Sequence, residues 1–258
     1  MNIKYKVLSV VMPAYNEEAN IYDNIGKVVE AVKRFEQNFE IIVVNDGSTD
    51  RTKSKILQAA RTWEEVTLVS YKKNRGKGNA IREGVKAATG TYIAFLDSDL
   101  DLPPEQLEVY LGCLQRNEAD VVIGSKMHKD SEINYPAIRK MMSFGYFCML
   151  KLLFKLNVKD TQTGIKMFKA EALKSVIGKI KTRGFAYDIE ILAALNCKKY
   201  RIIEMPVKLN FTRENRMGRI KFSDIFTVFK DTWAIFFRAK VKKYYGYDRS
   251  IESKKGEK

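Results

Sequence analysis

The chain has 258 residues, enough for one sizeable domain with a buried core that does not depend on disulfides. Its formal net charge is +15, which predicts a negatively charged partner: nucleic acid, an anionic membrane surface or a phosphorylated substrate. The three cysteines form no CxxC pair and His128 is the single histidine, so a zinc site and a histidine-based nucleophile relay are not expected.

Neither the N-terminal sequence nor the longest apolar stretch predicts export or a membrane span. MNIKYKVLSVVMPAYNEE has a short apolar run that ends at Pro13 without a small-residue cleavage site, so we interpret it as a first strand. The apolar residues 141–154 are interrupted by Lys151 and fall short of the roughly 20 residues that cross a bilayer. We therefore expect a cytoplasmic protein.

Strand and helix patterns alternate over the first 125 residues. Short β-branched runs predict strands, and segments with apolar residues three and four apart predict the helices between them. In chain order the predicted strands are VLSVVMP, EIIVVND, VTLVSY, TYIAFLD and ADVVIGS. This alternation predicts an α/β fold, with a mainly parallel sheet and helices on both faces.

Four polar clusters follow the first four predicted strands: PAYNEE, NDGSTD, KNRGKGN and DSDLD. Ligands bind in such sheets beyond the carboxyl ends of the strands, so the clusters are expected to meet on one rim. Each cluster alone could be turn chemistry, because Asn, Asp, Gly and Ser are the usual turn residues. Four clusters at one predicted edge favour a shared site.

Three aspartates, Asp97, Asp99 and Asp101, alternate directly after the fourth predicted strand. In extended backbone they project to one side, and their repulsion is relieved most simply by a divalent cation. Oxygen ligands favour Mg²⁺ or Mn²⁺, and substrate phosphates commonly complete the shell of such a metal, which indicates a diphosphate substrate. A second interpretation stays open for Asp101, namely that it caps a helix beginning at Pro103 or Pro104.

The alternation lapses after residue 125. A basic loop, an apolar helix-like segment at 141–156, the helix AYDIEILAALNCKK, the strand-like YRIIEMPVKLNF and the loop TRENRMGRIKF follow. The C-terminal segment is predicted to be a helix that either packs on the core or lies in a membrane interface, and we favour the interface. The apolar residues expected on one face of this helix are Ile225, Phe226, Phe229, Trp233, Phe236 and Phe237. The polar residues 248–258 are predicted to be disordered.

Several segments of the sequence resemble those of a known protein family. VVMPAYNEE, IIVVNDGSTDRT, KNRGKGNAIREGVKAATGTYIAFLDSD and VVIGSK resemble the nucleotide-binding half of the family 2 glycosyltransferases with the GT-A fold. DTQTGIKMF and GRIKF resemble, more narrowly, the polyprenyl-phosphate hexose synthases, which include dolichyl-phosphate glucose and mannose synthases. The resemblance implies a catalytic domain at 1–222, with a nucleotide-sugar half at 1–125 and an acceptor half at 126–222, and an interface region at 223–247.

The resemblance also implies a donor site. The residues assigned to the donor nucleotide are Pro13, Tyr15, Glu17, Asp46, Lys77 and Ser98. Asn45 stands where an acidic residue is usual, and since Asn carries no charge we favour Asp46 as the contact. Asp97 and Asp99 match the DxD signature beneath the donor diphosphate, and Asp101 stands where a further metal-side ligand is common. The implied metal ligands are therefore Asp97, Asp99 and Asp101.

The acceptor phosphate is assigned by resemblance to Lys126, Arg139, Ser143, Arg216 and Lys221. Arg139 and Ser143 match an Arg-x-x-x-Ser pattern. Lys126 stands where arginine is more usual, and a lysine contacts a phosphate as a point charge instead of through two parallel hydrogen bonds. Ile220 occupies a position where the family usually has serine. The predicted catalytic residues are Asp97, Asp99 and Arg139.

A lipid phosphate acceptor also follows from chemistry. A phosphate monoester is largely dianionic at pH 7 and can attack an anomeric carbon without a general base. Asp188 and Glu190 are accordingly expected to pair with the loop cations and not to catalyse.

The predicted function is metal-dependent, inverting transfer of a hexose to a polyprenyl phosphate on the cytoplasmic face of a membrane. The donor is a nucleotide-diphosphate sugar, UDP-glucose before GDP-mannose. The expected partners include the membrane surface and a possible membrane-spanning subunit, but not nucleic acid.

Two alternatives stay open. A family 2 transferase acting on a polysaccharide or a lipid-linked oligosaccharide is disfavoured by the Arg139 and Ser143 pair and by the lack of a carboxylate base. A basic nucleic-acid-binding module is supported only by the net charge, because the chain shows no aromatic and basic single-strand platform and its acidic rim would repel phosphates.

Overall fold

The computed structural model describes residues 6–131, 147, 149–184, 186–208 and 222–246, with side chains of the last range described from residue 228. Four predicted acceptor residues lie outside these ranges, as does the predicted tail 248–258. These four residues are Arg139, Ser143, Arg216 and Lys221.

A single mixed sheet forms the centre of the described structure. Its strands are β1 (Leu8–Ala14), β2 (Phe39–Asp46), β3 (Val66–Tyr71), β4 (Tyr92–Phe95), β5 (Val121–Ser125), β6 (Lys166–Lys169) and β7 (Ile202–Pro206), in the order β3-β2-β1-β4-β6-β5-β7. Neighbouring strands among β1 to β4 are parallel, as are β5 and β7, and β6 runs antiparallel to both β4 and β5. The predicted mainly parallel sheet is confirmed, and β6, which we did not predict, is its exception.

Helices cover both faces of the sheet, as predicted. They are α1 (Ile21–Lys33), α2 (Thr52–Thr62), α3 (Lys77–Ala87), α4 (Gln106–Gln115), α5 (Ala170–Ile177), α6 (Tyr187–Cys197) and α7 (Phe222–Phe236), which continues into a π-helical turn at Phe237–Val241. Helices α1, α2 and α4 pack on one face, and α3, α5, α6 and α7 on the other.

The burial of β2 shows why its sequence is continuously apolar. Ile41 and Val43 pack into the core on one side of the sheet, while Ile42 and Val44 pack into the core on the other. Both faces of a strand inside a doubly covered sheet are buried, so the polar alternation of a half-exposed strand is absent here.

The strand directions bring several loops to one edge of the sheet. The carboxyl ends of β1 to β4 lie there because these strands are parallel, and β5 has the same direction because β6 is antiparallel to both β4 and β5. The antiparallel direction of β6 also places the residues that precede Lys166 at this edge. The shared rim predicted from the polar clusters therefore exists, and the segment before β6 adds to it.

The predicted helix-capping role of Asp101 is wrong. Helix α4 begins at Gln106, and its cap position is Glu105, with no side-chain hydrogen bond to the helix. Pro103 and Pro104 form the turn that leads into the helix, since their carbonyl groups accept hydrogen bonds from the main-chain N–H groups of Gln106 and Leu107. This turn separates Asp101 from the first helical residue.

The described part of the C-terminal helix packs on the core with one side only. Ile235 and Ala239 are buried, and the ring of Phe236 lies 6.2 Å from that of Phe154. Phe229, Trp233 and Phe237 of the predicted apolar face are exposed. The predicted single face is therefore divided, with Phe236 turned toward the core. The side chains of Ile225 and Phe226 lie outside the described residues.

None of the described helices combines the length and the apolar character that are needed to cross a membrane.

Candidate active site

A small cavity of about 80 Å³ lies at the edge of the sheet where β4 and β5 end. Its lining residues are Leu96, Asp97, Asp99, Asp101, Leu102, Lys126, Gln162 and Gly164. They come from three segments: the loop after β4, the residue after β5 and the turn that precedes β6. The structure thus brings the three predicted aspartates together with Lys126, and it adds Gln162 and Gly164, to which sequence reasoning assigned no role.

Asp97 is held between a cation and a glycine turn. Lys77, the first residue of α3, places its Nζ 2.6 Å from Asp97 Oδ1. Burial by itself lowers the pKa of the Lys77 ammonium group. The negative charges of Asp97 and Asp188 outweigh this effect of burial, so the pKa is raised. The main chain of Gly164 lies against the same carboxylate, close to its Oδ2. These contacts fix the position of the first aspartate of the DxD pair.

Asp99 lies in this cavity beside two further carboxylates, those of Asp97 and Asp101. Burial raises the pKa of its carboxyl group, and the neighbouring charges of Asp97 and Asp101 raise it further. The main-chain N–H of Asp101 donates to Asp99 Oδ1 over 3.4 Å. A carboxyl group in this situation becomes more stable in its charged form when a cation enters the cavity.

The donor set suits a hard divalent cation, because the cavity offers carboxylate oxygens and no sulfur or imidazole ligand among its lining residues. Within the described ranges, no group of three or more His, Cys, Asp or Glu side chains is arranged to hold a metal ion by itself. The ligand set Asp97, Asp99 and Asp101 therefore stays a prediction.

Asp46, the favoured nucleotide contact, is almost fully buried at the end of β2. Its carboxylate accepts hydrogen bonds from Tyr71 Oη (2.7 Å), the Arg75 N–H (2.8 Å) and the Gly76 N–H (3.0 Å). Asp46 thereby holds the loop between β3 and Lys77. A direct contact between Asp46 and the nucleotide stays a prediction.

The NDGS turn packs tightly on the same loop. Gly47 has φ +65°, and a β-carbon there would stand 2.9 Å from the Lys73 Cα, so only glycine fits without strain. Asn45 donates from Nδ2 to Ser70 Oγ and accepts from the Ser48 N–H. The second and third polar clusters therefore form one packed unit.

The remaining predicted donor residues lie at the ends of β1 and β4. Pro13 is in β1, Tyr15 directly follows it and is exposed, and the Glu17 N–H donates to Thr52 Oγ1 over 2.8 Å. Ser98 is buried, and its carbonyl oxygen accepts a hydrogen bond of 2.8 Å from Asn24 Nδ2. All of these residues belong to the rim described above.

Asp160, to which sequence reasoning assigned no role, connects two walls of the aspartate cavity. Its carboxylate accepts hydrogen bonds from the N–H groups of Lys126 (2.9 Å) and Gln162 (3.1 Å) and from the hydroxyl of Thr163. The motif DTQTG was the sequence signal from which this turn could have been predicted, because an Asp followed by Thr and Gly is typical of a tight hydrogen-bonded turn.

A buried ion pair lies next to the cavity. Lys166 Nζ is 2.9 Å from Asp188 Oδ1, and the two side chains are only 2% and 6% exposed. Lys166 pairs with Phe95 across β6 and β4, two residues before Asp97 in the chain. Burial raises the pKa of Asp188, although Lys166 and Lys77 oppose the shift.

Asp188 and Glu190 form ion pairs, but among the described residues their partners do not include Lys126, the one expected loop cation that the structure describes. Asp188 pairs with Lys166, and the Glu190 carboxylate pairs with Arg238, whose Nη2 is 2.9 Å away. Both acids sit in the first turn of α6, which packs inside the core. Their position in the core explains why they meet the buried lysine and the C-terminal arginine instead of the predicted Lys126.

Comparison with known proteins identifies related sequences. The model of the family "Glycosyl transferase family 2" matches residues 9–177. The chain is 29% identical over 230 residues to a dolichyl-phosphate beta-glucosyltransferase of Saccharomyces cerevisiae, a match covering 82% of this chain and 69% of the yeast protein. It is 31% identical over 216 residues to a dolichyl-phosphate beta-glucosyltransferase of Homo sapiens, covering 78% of this chain and 67% of the human protein.

Solved structures with the same fold include glucosyl-3-phosphoglycerate synthase from Mycobacterium tuberculosis. Its complex with uridine diphosphate superposes with a TM-score of 0.65 at 19% identity, covering 95% of this chain and 82% of that one. Its complex with Mn²⁺, UDP-glucose and phosphoglyceric acid gives a TM-score of 0.64 at 19% identity, covering 95% and 81%. The predicted α/β fold of GT-A type is confirmed.

Proposed function

Because this chain belongs to glycosyl transferase family 2 and is a glycosyltransferase, we propose that it transfers a hexose from a nucleotide-diphosphate sugar to a polyprenyl phosphate. The observation that carries the proposal is the cavity that joins Asp97, Asp99 and Asp101 to Lys126 at the carboxyl edge of the sheet. The yeast and human relatives, named as dolichyl-phosphate beta-glucosyltransferases, support dolichyl phosphate as the acceptor class.

UDP-glucose is the proposed donor, with GDP-mannose as the second choice. The names of the relatives support glucose, and the mycobacterial enzyme of the same fold was solved with UDP-glucose. Asp46 and the loop that it holds would form the nucleotide side of the site, since this loop ends at Lys77. Pro13, Tyr15, Glu17 and Ser98 are proposed as further donor contacts.

Asp97 and Asp99 would hold Mg²⁺ or Mn²⁺, with Asp101 as a third candidate ligand. The carboxylate oxygens of the cavity and the raised pKa of Asp99 support a cation here, and donor phosphate oxygens would complete its shell. When bound, such an ion stabilises negative charge on a departing diphosphate. Lys77 holds the Asp97 side chain in place through an ion pair.

The site has to bind and orient the acceptor phosphate, and it does not have to deprotonate it. A phosphate monoester dianion is already a nucleophile at pH 7, so the proposed reaction requires no general base. Lys126 offers a cation in the lining of the same cavity, where it would draw the acceptor phosphate toward the donor. A single displacement by that phosphate inverts the anomeric configuration. Arg139, Ser143, Arg216 and Lys221 remain proposed contacts of the same phosphate.

We further propose that the protein works as a peripheral protein on the cytoplasmic face of a membrane. The exposed aromatic side chains Phe229, Trp233 and Phe237 on the C-terminal helix support this placement, because such rings favour the headgroup level. Assembly with a membrane-spanning partner subunit belongs to the same proposal.

The test is a transfer assay with the purified full chain, radiolabelled UDP-glucose, MnCl₂ and dolichyl phosphate in detergent. We expect an acid-labile, lipid-extractable glucosyl product that disappears with EDTA, and less product from GDP-mannose. Asp99→Asn should abolish it without changing thermal unfolding, whereas the control Glu108→Gln, on the exposed side of α4, should not. Transfer to a soluble sugar or oligosaccharide in the absence of lipid product would refute the proposal.

A further inference from the structure

A second cavity, of about 510 Å³, lies beside the C-terminal helical segment. Its lining residues are Lys181, Ala234, Phe237, Arg238, Lys242 and Tyr244. None of them lines the aspartate cavity, so the proposed transfer reaction does not account for this second cavity. Three of its six lining residues are cations, and none is acidic.

One of these cations, Arg238, is fixed in place by a buried carboxylate. Arg238 Nη2 and Nε lie 2.9 and 3.0 Å from Glu190 Oε1, and Tyr245 Oη also donates to this oxygen. The other oxygen of Glu190 accepts hydrogen bonds from the N–H groups of Lys181 (3.0 Å) and Thr182 (2.7 Å). Glu190 therefore sets both the guanidinium group and the main chain of Lys181 at the cavity.

The two lysines of the cavity lie over aromatic rings. Lys181 Nζ is 4.6 Å from the centre of the Tyr244 ring, and Lys242 Nζ is 5.7 Å from the centre of the Phe237 ring. Glu190 offsets only the charge of Arg238, and Asp231 is a second acidic group that acts on that arginine. Lys181 and Lys242 thus make the cavity positively charged, and a positively charged cavity suits a phosphate group.

An exposed apolar stripe runs past the mouth of this cavity. Phe229, Trp233, Phe237 and Val241 are spaced four residues apart, and each is between 45% and 57% exposed. The rings of Phe229 and Trp233 touch edge to face. Residues four apart lie on the same side of a helix, so the stripe and the cavity, which share Phe237, form one surface.

From this surface we propose that the cavity binds the phosphate-bearing headgroup of an anionic membrane lipid. A free phosphate would match the cations but would leave the adjacent aromatic stripe in water. A lipid satisfies both features, because its phosphate reaches the lysines while the stripe enters the interface beside it. The site holds the protein at the membrane and is distinct from the place where the acceptor phosphate reacts.

The experiment is cosedimentation of the full chain with vesicles of phosphatidylcholine alone or mixed with phosphatidylglycerol, without nucleotide sugar and at constant ionic strength. The test variant is Lys181→Ala/Lys242→Ala. The matched control is Lys230→Ala/Lys240→Ala, which removes two exposed lysines of the same C-terminal segment that do not line the cavity. Arg238 is left unchanged because its loss would leave Glu190 buried without its cation.

We expect the test variant to lose affinity for the phosphatidylglycerol vesicles by about tenfold more than the control, a difference of about 1.4 kcal/mol. Equal losses would mean that general surface charge suffices, and would overturn the cavity as a headgroup site. Inorganic phosphate that binds the chain as tightly as the vesicles do would overturn the lipid assignment. Since the assay contains no sugar donor, its failure leaves the proposed transfer reaction untouched, and the converse also holds.

Discussion

The main chain of Gly164 lies against the carboxylate of Asp97. A β-carbon on Gly164 would overlap Asp97 Oδ2 and stand 2.6 Å from its Cγ. Asp97 cannot simply rotate away, because its other oxygen is paired with Lys77. The turn before β6 thus determines where the first aspartate of the DxD pair stands.

Gly164→Ala is therefore expected to displace Asp97 and to lower the rate of transfer by roughly 100-fold, the scale on which a misplacement of about 1 Å acts. Steady-state kinetics with the nucleotide sugar measure the effect. Gly178→Ala is the control, since nothing lies within 4 Å of a β-carbon there. Wild-type kinetics in the Gly164 variant would show that the position of Asp97 does not matter for the reaction.

The buried pair of Lys166 and Asp188 predicts a strongly non-additive effect on stability. Lys166→Met or Asp188→Leu alone leaves one charge buried without its partner, and each should lower the free energy of unfolding by about 3–5 kcal/mol. The double variant removes both charges and should cost less than the sum of the two. Urea denaturation measures all three, and additive costs would mean that the pair does not act as a unit.

The alternating part of the fold was accessible from sequence because its signals are local. In β1 to β4 each apolar run is followed by its own polar cluster, and parallel pairing alone then puts the clusters on one edge. Asp97 and Asp99 could be placed on that edge for this reason, whereas Lys126 follows β5 and was assigned by resemblance; the structure places all three around one cavity.

The part of the cavity lining that precedes β6, Gln162 and Gly164, could not be predicted in this way. Strand β6 has four residues and begins with Lys166, a charged residue that breaks the apolar pattern of a buried strand. Its place between β4 and β5 depends on pairing with residues far away in the chain, which periodicity does not report. Gln162 and Gly164 reach the aspartates only through that pairing.

The C-terminal helix illustrates a different limit. Its aromatic residues lie so close together in the sequence that the helical pattern places Phe236 on the same face as Trp233 and Phe237. In the structure Phe236 meets Phe154 on the core side, while Trp233 and Phe237 stay exposed, although the rings of Trp233 and Phe236 remain in edge contact. Which side of such a helix faces the core depends on the partner surface, and the helix pattern alone does not contain that information.

Stability should depend on pH through Glu65, which lies at 2.8 Å from Lys33 Nζ. Burial opposes ionisation, but the hydrogen bond and charge of Lys33 hold the pKa of Glu65 below its ordinary value. A carboxyl group with a lowered pKa in the folded state stabilises the fold above its unfolded pKa. That contribution is lost as the pH falls through the folded pKa.

Glu65→Gln should accordingly lower the free energy of unfolding by up to about 1 kcal/mol near neutral pH, and by much less at about pH 3. Urea denaturation at both values checks the sign. Glu64→Gln, at the exposed neighbouring position, controls for the general loss of one negative charge. An effect of Glu65→Gln that grows toward acid pH would contradict the assignment.

Asp46 offers a test that separates direct binding of the nucleotide from positioning of the loop after β3. Its carboxylate accepts hydrogen bonds from Tyr71 Oη and from the N–H groups of Arg75 and Gly76. Asp46→Asn replaces one carboxylate oxygen with an amide NH2 that donates, so at least one of these donors then faces another donor and the loop should lose part of its support. We expect the affinity for UDP, measured by isothermal titration calorimetry, to fall by about tenfold, the equivalent of about 1.4 kcal/mol.

Tyr71→Phe distinguishes the two roles, because it removes one donor to Asp46 and keeps the ring that lies 5.0 Å from the Arg75 guanidinium carbon. If Asp46 acts by holding the loop, Tyr71→Phe should also weaken UDP binding, though less than Asp46→Asn, since it removes one hydrogen bond without placing two donors opposite each other. If the carboxylate itself holds the ribose, losing the tyrosine hydroxyl frees an acceptor position, and UDP binding should be unchanged or tighter. Thermal unfolding of both variants establishes whether the fold survives, so that a change in affinity reports on the site.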